Sequence, residues 1–201
     1  MEMSNFEKLL VNREGKRRRN ATKVHQWLWD LDTASIQDVL EIGCGIGTVS
    51  AILSETYGFN VTGTDFDPAQ IEKARRLYPE NDKLRFQIED GANLPFDIAS
   101  MDLVIAQNVF HHIPDWRKAL AEVHRVLRGG GHLMWLDIFM VTPIRQLLSA
   151  IVKGESFLSL DEVVRESGEI GFVEQFNERM PLLLFSQHHF VFQKRQEGFA
   201  A

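Results

Sequence analysis

The stretch "DVLEIGCGIGTVSAIL", Asp38 to Leu53, organises the chain around it. Val39–Ile42 is a short apolar run carrying one acid, Glu41, and reads as a buried strand. Gly43, Gly45 and Gly47 then arrive at every second position. From Thr48 the apolar residues take helical spacing up to Tyr57, and Gly58 stops them. Glycines between a strand and a helix permit backbone conformations closed to other residues and let a ligand approach the main chain. The spacing is not the G-x-G-x-x-G/A of a pyrophosphate site, because Thr48 stands where that pattern wants glycine or alanine. A phosphate P-loop is excluded, since no Gly-Lys-Ser/Thr follows. An acid two residues before the first glycine suits a ligand with an ammonium or several hydroxyls, not a phosphate.

Working outward, strands and helices alternate. Asn60–Thr64 is a second strand, ending in "GTDFD". Asp65 lies where a carboxylate accepts hydrogen bonds from ribose hydroxyls. Asp67 and Pro68 supply an N-cap and a first-turn proline for a helix through Arg76. Leu84–Ile88 and Leu103–Ala106 are further strands. Asp115 caps a helix with Trp116, Leu120, Val123 and Leu127 on one face, expected to close at Gly129. His132–Leu136 is a fifth strand. Continuously apolar strands of this kind suit a parallel sheet covered on both faces.

Beyond Asp137 the pattern loosens. Thr142-Pro143 opens a helix through Val152, and Ser159 with Glu162 forms a capping-box pattern for another. Two strands follow, Gly171–Phe176 and His189–Gln193, with Met180-Pro181 expected in their connection. The first 35 residues read as helix, with Leu9, Leu10, Val24, Trp27, Leu28 and Leu31 as candidate buried positions. The reading is a single doubly wound, Rossmann-like α/β domain: a helical extension and possible lid over 1–35, a ligand-binding core over 36–138, and C-terminal helices and a β-hairpin over 139–201.

The composition, 44% hydrophobic and 25% charged, is ordinary for a globular chain. No apolar run reaches the roughly 20 residues of a membrane span. The N-terminus lacks the features of a secretory signal. The one cysteine, Cys44, fits a reducing compartment, so a cytoplasmic location is expected. A net charge of −6 argues against general nucleic-acid binding. The basic cluster Arg13, Lys16, Arg17, Arg18, Arg19 and Lys23 runs the other way and reads first as a solvated helix face.

Five segments follow one another in a recognisable order: "VLEIGCGIGT", "GTDFDPAQI", "IEDGANLPF", "MDLVIAQNVFHHIPD" and "ALAEVHRVLRGGGHLMWLD". Together they resemble class I S-adenosylmethionine-dependent methyltransferases, nearest the small-molecule branch with the ubiquinone and menaquinone C-methyltransferases. The resemblance runs from Asp38 to Asp137 and more weakly to the C-terminus. It implies a seven-stranded, mostly parallel sheet with an antiparallel last strand. It also implies S-adenosylmethionine as cofactor, S-adenosylhomocysteine as product, and a small organic acceptor methylated on O, N or C by in-line displacement. Glu41, Gly43, Cys44, Gly45, Gly47 and Thr48 would then line the methionine and ribose portions of the cofactor. Asp65 would hold the ribose hydroxyls, with Phe66 against the adenine. Asp90 would face the adenine amino group beside Gly91 and Ala92, and Ala106 and Gln107 would lie near the sulfonium.

His111 and His112, in "NVFHHIPDW", are the candidate bases, because histidine titrates where proton transfer near neutrality needs it. The alternative is that one of the pair packs or caps. Trp27, Phe110 and Phe139 are candidate walls of an acceptor pocket, and otherwise core. No zinc-type histidine spacing is present and no metal is expected. Cys44 reads as a small residue filling the glycine turn. Absence of an Asn/Asp-Pro-Pro-aromatic motif after the fourth strand argues against adenine or glutamine N-methylation. Two other readings stay open: an NAD(P)-dependent oxidoreductase on a similar sheet, and a non-catalytic S-adenosylmethionine-binding partner subunit. A monomer or homodimer is expected.

Overall fold

The computed structural model describes residues 24–26, 28, 31–140, 158–181 and 185–196. Seven strands form one mixed sheet in the order β3-β2-β1-β4-β5-β7-β6. The chain divides into two compact units, one ending at Gly91 and one starting at Ala92.

In the first unit, β1 (Asp38–Ile42), β2 (Asn60–Asp65) and β3 (Leu84–Ile88) are parallel neighbours, with Ile42 opposite Thr64 and Asp65 opposite Ile88. Their carboxyl ends therefore align. The helix α1 (Thr48–Tyr57) joins β1 to β2, and α2 (Pro68–Leu77) joins β2 to β3. The α2 start is as expected: Asp67 accepts from Ala69 N–H, and Pro68 takes the first turn. Leu40, Leu53, Ile71 and Phe86 are buried at its core. Val24 and Leu28 are helical and buried, as expected, and Leu31 is half-buried. His25 Nδ1 lies 2.7 Å from the hydroxyl of Tyr57, the last residue of α1. That end is about 15 Å of helix away from the glycine turn.

In the second unit, β4 (Met101–Gln107) runs parallel to β5 (Leu127–Met140), with Gln107 opposite Leu136. A short 3-10 turn, Phe110–His112, and the helix α3 (Trp116–Val126) connect them. The helix α4 (Leu160–Glu169) leads to β6 (Phe172–Pro181), and β7 (Phe185–Lys194) is antiparallel to both β5 and β6. The antiparallel strand expected from the resemblance is thus β7. Leu103, Ile105, Trp135, Phe139, Phe190 and Phe192 are buried.

Several boundaries differ from the sequence reading. The helix α3 ends at Val126, not Gly129, because Leu127 already turns extended and β5 begins there. The Lys194 ammonium donates to His124 O and Leu127 O, both at 2.8 Å, and so does the work assigned to a C-terminal glycine. Met180-Pro181 lies within β6, an edge strand, where a residue without an N–H is tolerated. Ser159 sits at the N-cap of α4 but its side chain makes no capping bond, and Glu162 pairs with Arg117. The capping box is therefore not formed. Leu9, Leu10, Trp27, the basic cluster and the helix expected after Thr142 lie outside the described residues. Among the described residues no helix is long and apolar enough to cross a membrane.

Candidate functional site

In the first unit the predicted residues gather at the carboxyl ends of β1, β2 and β3. The turn after β1 is held by Cys44 N–H donating to Thr64 O (2.8 Å) and Gly47 N–H donating to Cys44 O (2.9 Å). Asp65 is more than a ribose candidate. Its Oδ2 accepts from Gly45 N–H at 2.8 Å and its Oδ1 from Asp67 N–H at 2.9 Å. Two backbone donors thereby fix the carboxylate.

The glycines differ in purpose. Gly45 has φ +55°, and a Cβ there would meet nothing within 4 Å, so open space lies beside the turn. Gly47 has φ +79°, and a Cβ there would sit 2.5 Å from Phe86 ring atoms, so packing requires its bareness. Thr48 opens α1 and receives the Tyr78 hydroxyl at 3.3 Å.

Glu41 is buried, and its carboxylate accepts from the Ser50 hydroxyl. Gly63, opposite Glu41 on β2, leaves room for that hydroxyl, since a Cβ would stand 2.5 Å from it. Burial pushes the Glu41 carboxyl up from the ordinary 4.5 to about 7; Ser50 opposes this and the Asp65 charge adds to it. Burial, with Glu41 and Asp65, also holds the Cys44 thiol well above its usual range, so it is a neutral filler at neutral pH. Phe66 and Ile88 are exposed apolar side chains beside Asp65, one next in sequence and one opposite on β3. Asp90 is exposed and Gly91 buried in the segment after β3.

In the second unit Ala92 is buried beyond that segment, and Ala106 is wholly buried. Gln107 is buried at the end of β4, and neither polar atom of its amide has a hydrogen-bond partner. An unpaired buried amide is costly. Asn108 follows at φ +53°, its side chain accepting from Gln187 Nε2 at 3.1 Å.

The 3-10 turn separates the two histidines. His111 Nδ1 is hydrogen-bonded to Asp137 Oδ1. Asp137 is fully buried and also accepts from Phe110 N–H (3.0 Å), Ile138 N–H (2.8 Å) and Trp135 Nε1–H (3.2 Å). An ionised carboxylate only accepts, so the His111 proton sits on Nδ1 and Nε2 is left as an acceptor. His112 lies against the His111 ring, centroids 3.9 Å apart.

Phe110 and Phe139 do not wall a pocket. Both are fully buried, Phe110 packed on Trp135 at 4.2 Å and Phe139 against Phe190 at 5.7 Å. Trp27 is outside the described residues. Ser50, Asn108, Trp135 and Asp137 were not singled out from sequence as site residues. Asp137 carried a readable signal, an acid closing an apolar strand as Glu41 does in β1. Among the described residues no group of three or more His, Cys, Asp or Glu could hold a metal ion.

Known proteins agree with this architecture. Residues 40–135 match the family described as a methyltransferase domain. A 2-methyl-6-phytyl-1,4-hydroquinone methyltransferase of Synechocystis sp. is 39% identical over 99 residues, 49% of this chain and 31% of that protein. An O-methyltransferase of Pyrenophora dematioidea is 37% identical over 107 residues, 52% of this chain and 40% of that protein. The chain thus spans less than half the length of these relatives. A putative sarcosine dimethylglycine methyltransferase from Galdieria sulphuraria superposes with a TM-score of 0.77 at 16% identity, covering 88% of this chain and 86% of that one. The [4+2]-cyclase SpnF superposes at 0.72 with 14% identity, covering 89% and 80%. Residues 40–135, just under half of this chain, are thus similar to the methyltransferase-domain family, and the chain shares the fold of these solved structures.

Proposed function

We propose that the protein transfers a methyl group from S-adenosylmethionine to a hydroxyl oxygen of a small organic acceptor, with His111 taking the hydroxyl proton. The observation that carries this reading is the buried Asp137 carboxylate hydrogen-bonded to His111 Nδ1. A fold alone does not set a reaction, and a structural neighbour described as a cyclase makes that concrete. A base with an orienter is a more specific feature. It is needed where the acceptor loses a proton during attack, as a hydroxyl does. The O-methyltransferase relative points the same way.

The residues present fit the cofactor. Gly45 leaves open space at the turn, Asp65 is held by two backbone donors, and the Gln107 amide lacks partners. We assign its methionine and ribose portions to Glu41, the 43–48 turn and Asp65. Its adenine goes to Phe66, Asp90, Gly91 and Ala92, and its sulfonium end to Ala106 and Gln107. When bound, the cofactor supplies an electrophilic methyl on a sulfonium whose bonding pair leaves with sulfur.

The chain's residues do the rest. Asp137 keeps the His111 ring oriented and its Nδ1 protonated. His111 Nε2 accepts the proton as the acceptor oxygen attacks, and Asp137 stabilises the imidazolium that results. The rate otherwise comes from holding the acceptor oxygen in line, which binding supplies. A reducing compartment such as the cytoplasm suits the lone thiol, Cys44.

The test is methyl transfer from tritiated S-adenosylmethionine to a panel of hydroquinones, catechols and phenolic acids. His111→Ala and Asp137→Asn are each expected to lower the rate by about 100-fold or more, with S-adenosylhomocysteine affinity within twofold of wild type. A His111→Ala enzyme with wild-type turnover would remove the base from the reading.

A further inference from the structure

Four donors converge on Asp137, and three of them would be there whatever residue stood at position 135: two backbone N–H groups and His111. The fourth is the Trp135 indole, whose Nε1–H lies 3.2 Å from Oδ2. Trp135 is two residues before Asp137 on β5, so both side chains leave the same face of the strand. The indole is fully buried, with Phe110 at 4.2 Å and Trp116, Phe139 and Phe190 at 6.3–6.4 Å. Phenylalanine or leucine would serve the packing. Only tryptophan fills that volume and also brings a donor to the carboxylate.

We propose that Trp135 is a positioning residue that sets, through Asp137, how tightly His111 holds its transferable proton. The proposal rests on the reading of His111 as the base. Donors on a carboxylate spread its charge, and in a site walled by aromatic rings that effect is not diluted by water. With the indole in place Oδ2 accepts from two donors, Trp135 Nε1–H and Phe110 N–H, while Oδ1 faces His111 and Ile138 N–H, and the pull on the imidazole is moderated. Without the indole the carboxylate loses one stabilising donor and becomes more basic, the imidazolium is favoured, and the ring stays protonated to higher pH. A base that is protonated at working pH cannot accept the acceptor's proton.

Among the described residues, His112 and His188 are titratable groups beside this pair. His112 lies against the His111 ring. His188 stands opposite Asp137 on β7. Its nitrogens are 3.0 Å from Asn177 Oδ1 and 3.1 Å from Ser186 Oγ. Burial first, and the Arg179 charge second, push the His188 imidazole below its ordinary value.

The experiment is a nitrogen-15 titration of the histidine rings in the full-length chain without ligand. Trp135→Phe is expected to raise the His111 midpoint by about half a pH unit or more. In an Asp137→Asn background the same substitution is expected to leave that midpoint where it was. An unchanged midpoint in the single variant, or an equal shift in both backgrounds, overturns the proposal. In the wild-type protein the Trp135 indole N–H resonance is expected to move with the His111 midpoint. A flat indole resonance overturns the proposal too, even if Trp135→Phe does not fold. None of these readouts needs turnover, so a chain that methylates nothing would sink the proposed function and leave this test standing. With an active acceptor, Trp135→Phe is expected to shift the acid limb of kcat/KM to higher pH at unchanged cofactor KM.

Discussion

Gly45 donates its backbone N–H to the Asp65 carboxylate at 2.8 Å, tying the glycine turn after β1 to the end of β2. Asp65→Ala therefore removes two things, the proposed acceptor for ribose hydroxyls and the brace on the turn. Hydrogen bonds to a charged group contribute about 1.5–3 kcal/mol each, so S-adenosylhomocysteine affinity is expected to fall about tenfold or more. Faster hydrogen exchange at the Gly45 amide should accompany it. Unchanged affinity by calorimetry would take Asp65 out of the site.

Gly45 and Gly47 separate binding from packing. Gly47→Ala forces a Cβ against Phe86 at a left-handed position. Overpacking and the backbone penalty together should cost about 2–5 kcal/mol, read as a lowered urea midpoint. Gly45→Ala meets no neighbour and should cost about 1–2 kcal/mol. Its larger effect is expected on S-adenosylhomocysteine affinity. The reverse order of the two stability losses would contradict this division.

Glu41 gives a pH dependence with a defined sign. Its carboxyl is raised from 4.5 to about 7, so between those pH values the folded chain holds a proton that the unfolded chain has lost. The stability it contributes is present below about pH 4.5 and is lost as pH rises through about 7. Glu41→Gln, neutral at every pH, should gain on wild type across that window by about 3 kcal/mol. Parallel stability curves from pH 5 to pH 8 would refute the shift.

Lys194 holds carbonyls at the end of α3, donating to His124 O and Leu127 O. Lys194→Met keeps the stem and removes the donor. Leaving those buried carbonyls short of a partner should cost about 1–3 kcal/mol in urea unfolding. A change below a few tenths of a kcal/mol would show that water replaces the ammonium.

How far the sequence could be read follows from what each signal depends on. The α/β alternation and the β1–α1–β2–α2 segment were legible because apolar runs, Asp67-Pro68 and Gly58 are local signals, and the structure uses each of them. The length of β6 was not. Nearly every residue from Val173 to Arg179 is exposed on this edge strand, so no apolar run marks it, and pairing with β7 alone defines it. The end of α3 was misplaced because its C-terminal partner, Lys194, is 67 residues beyond Leu127.

The same division holds within the site. That Asp65 stands beside the glycine turn could be read from spacing. The preference for His111 over His112 could not, since it depends on Asp137 arriving from the next strand. Nor could the difference between Gly45 and Gly47, which rests on Phe86 in β3.

One titration tests the whole reading: calorimetry of the full-length chain with S-adenosylhomocysteine and, separately, with NADH. The account predicts saturable binding of S-adenosylhomocysteine, weakened about tenfold or more by Asp65→Ala, and no heat with NADH. Binding of NADH without binding of S-adenosylhomocysteine would contradict it.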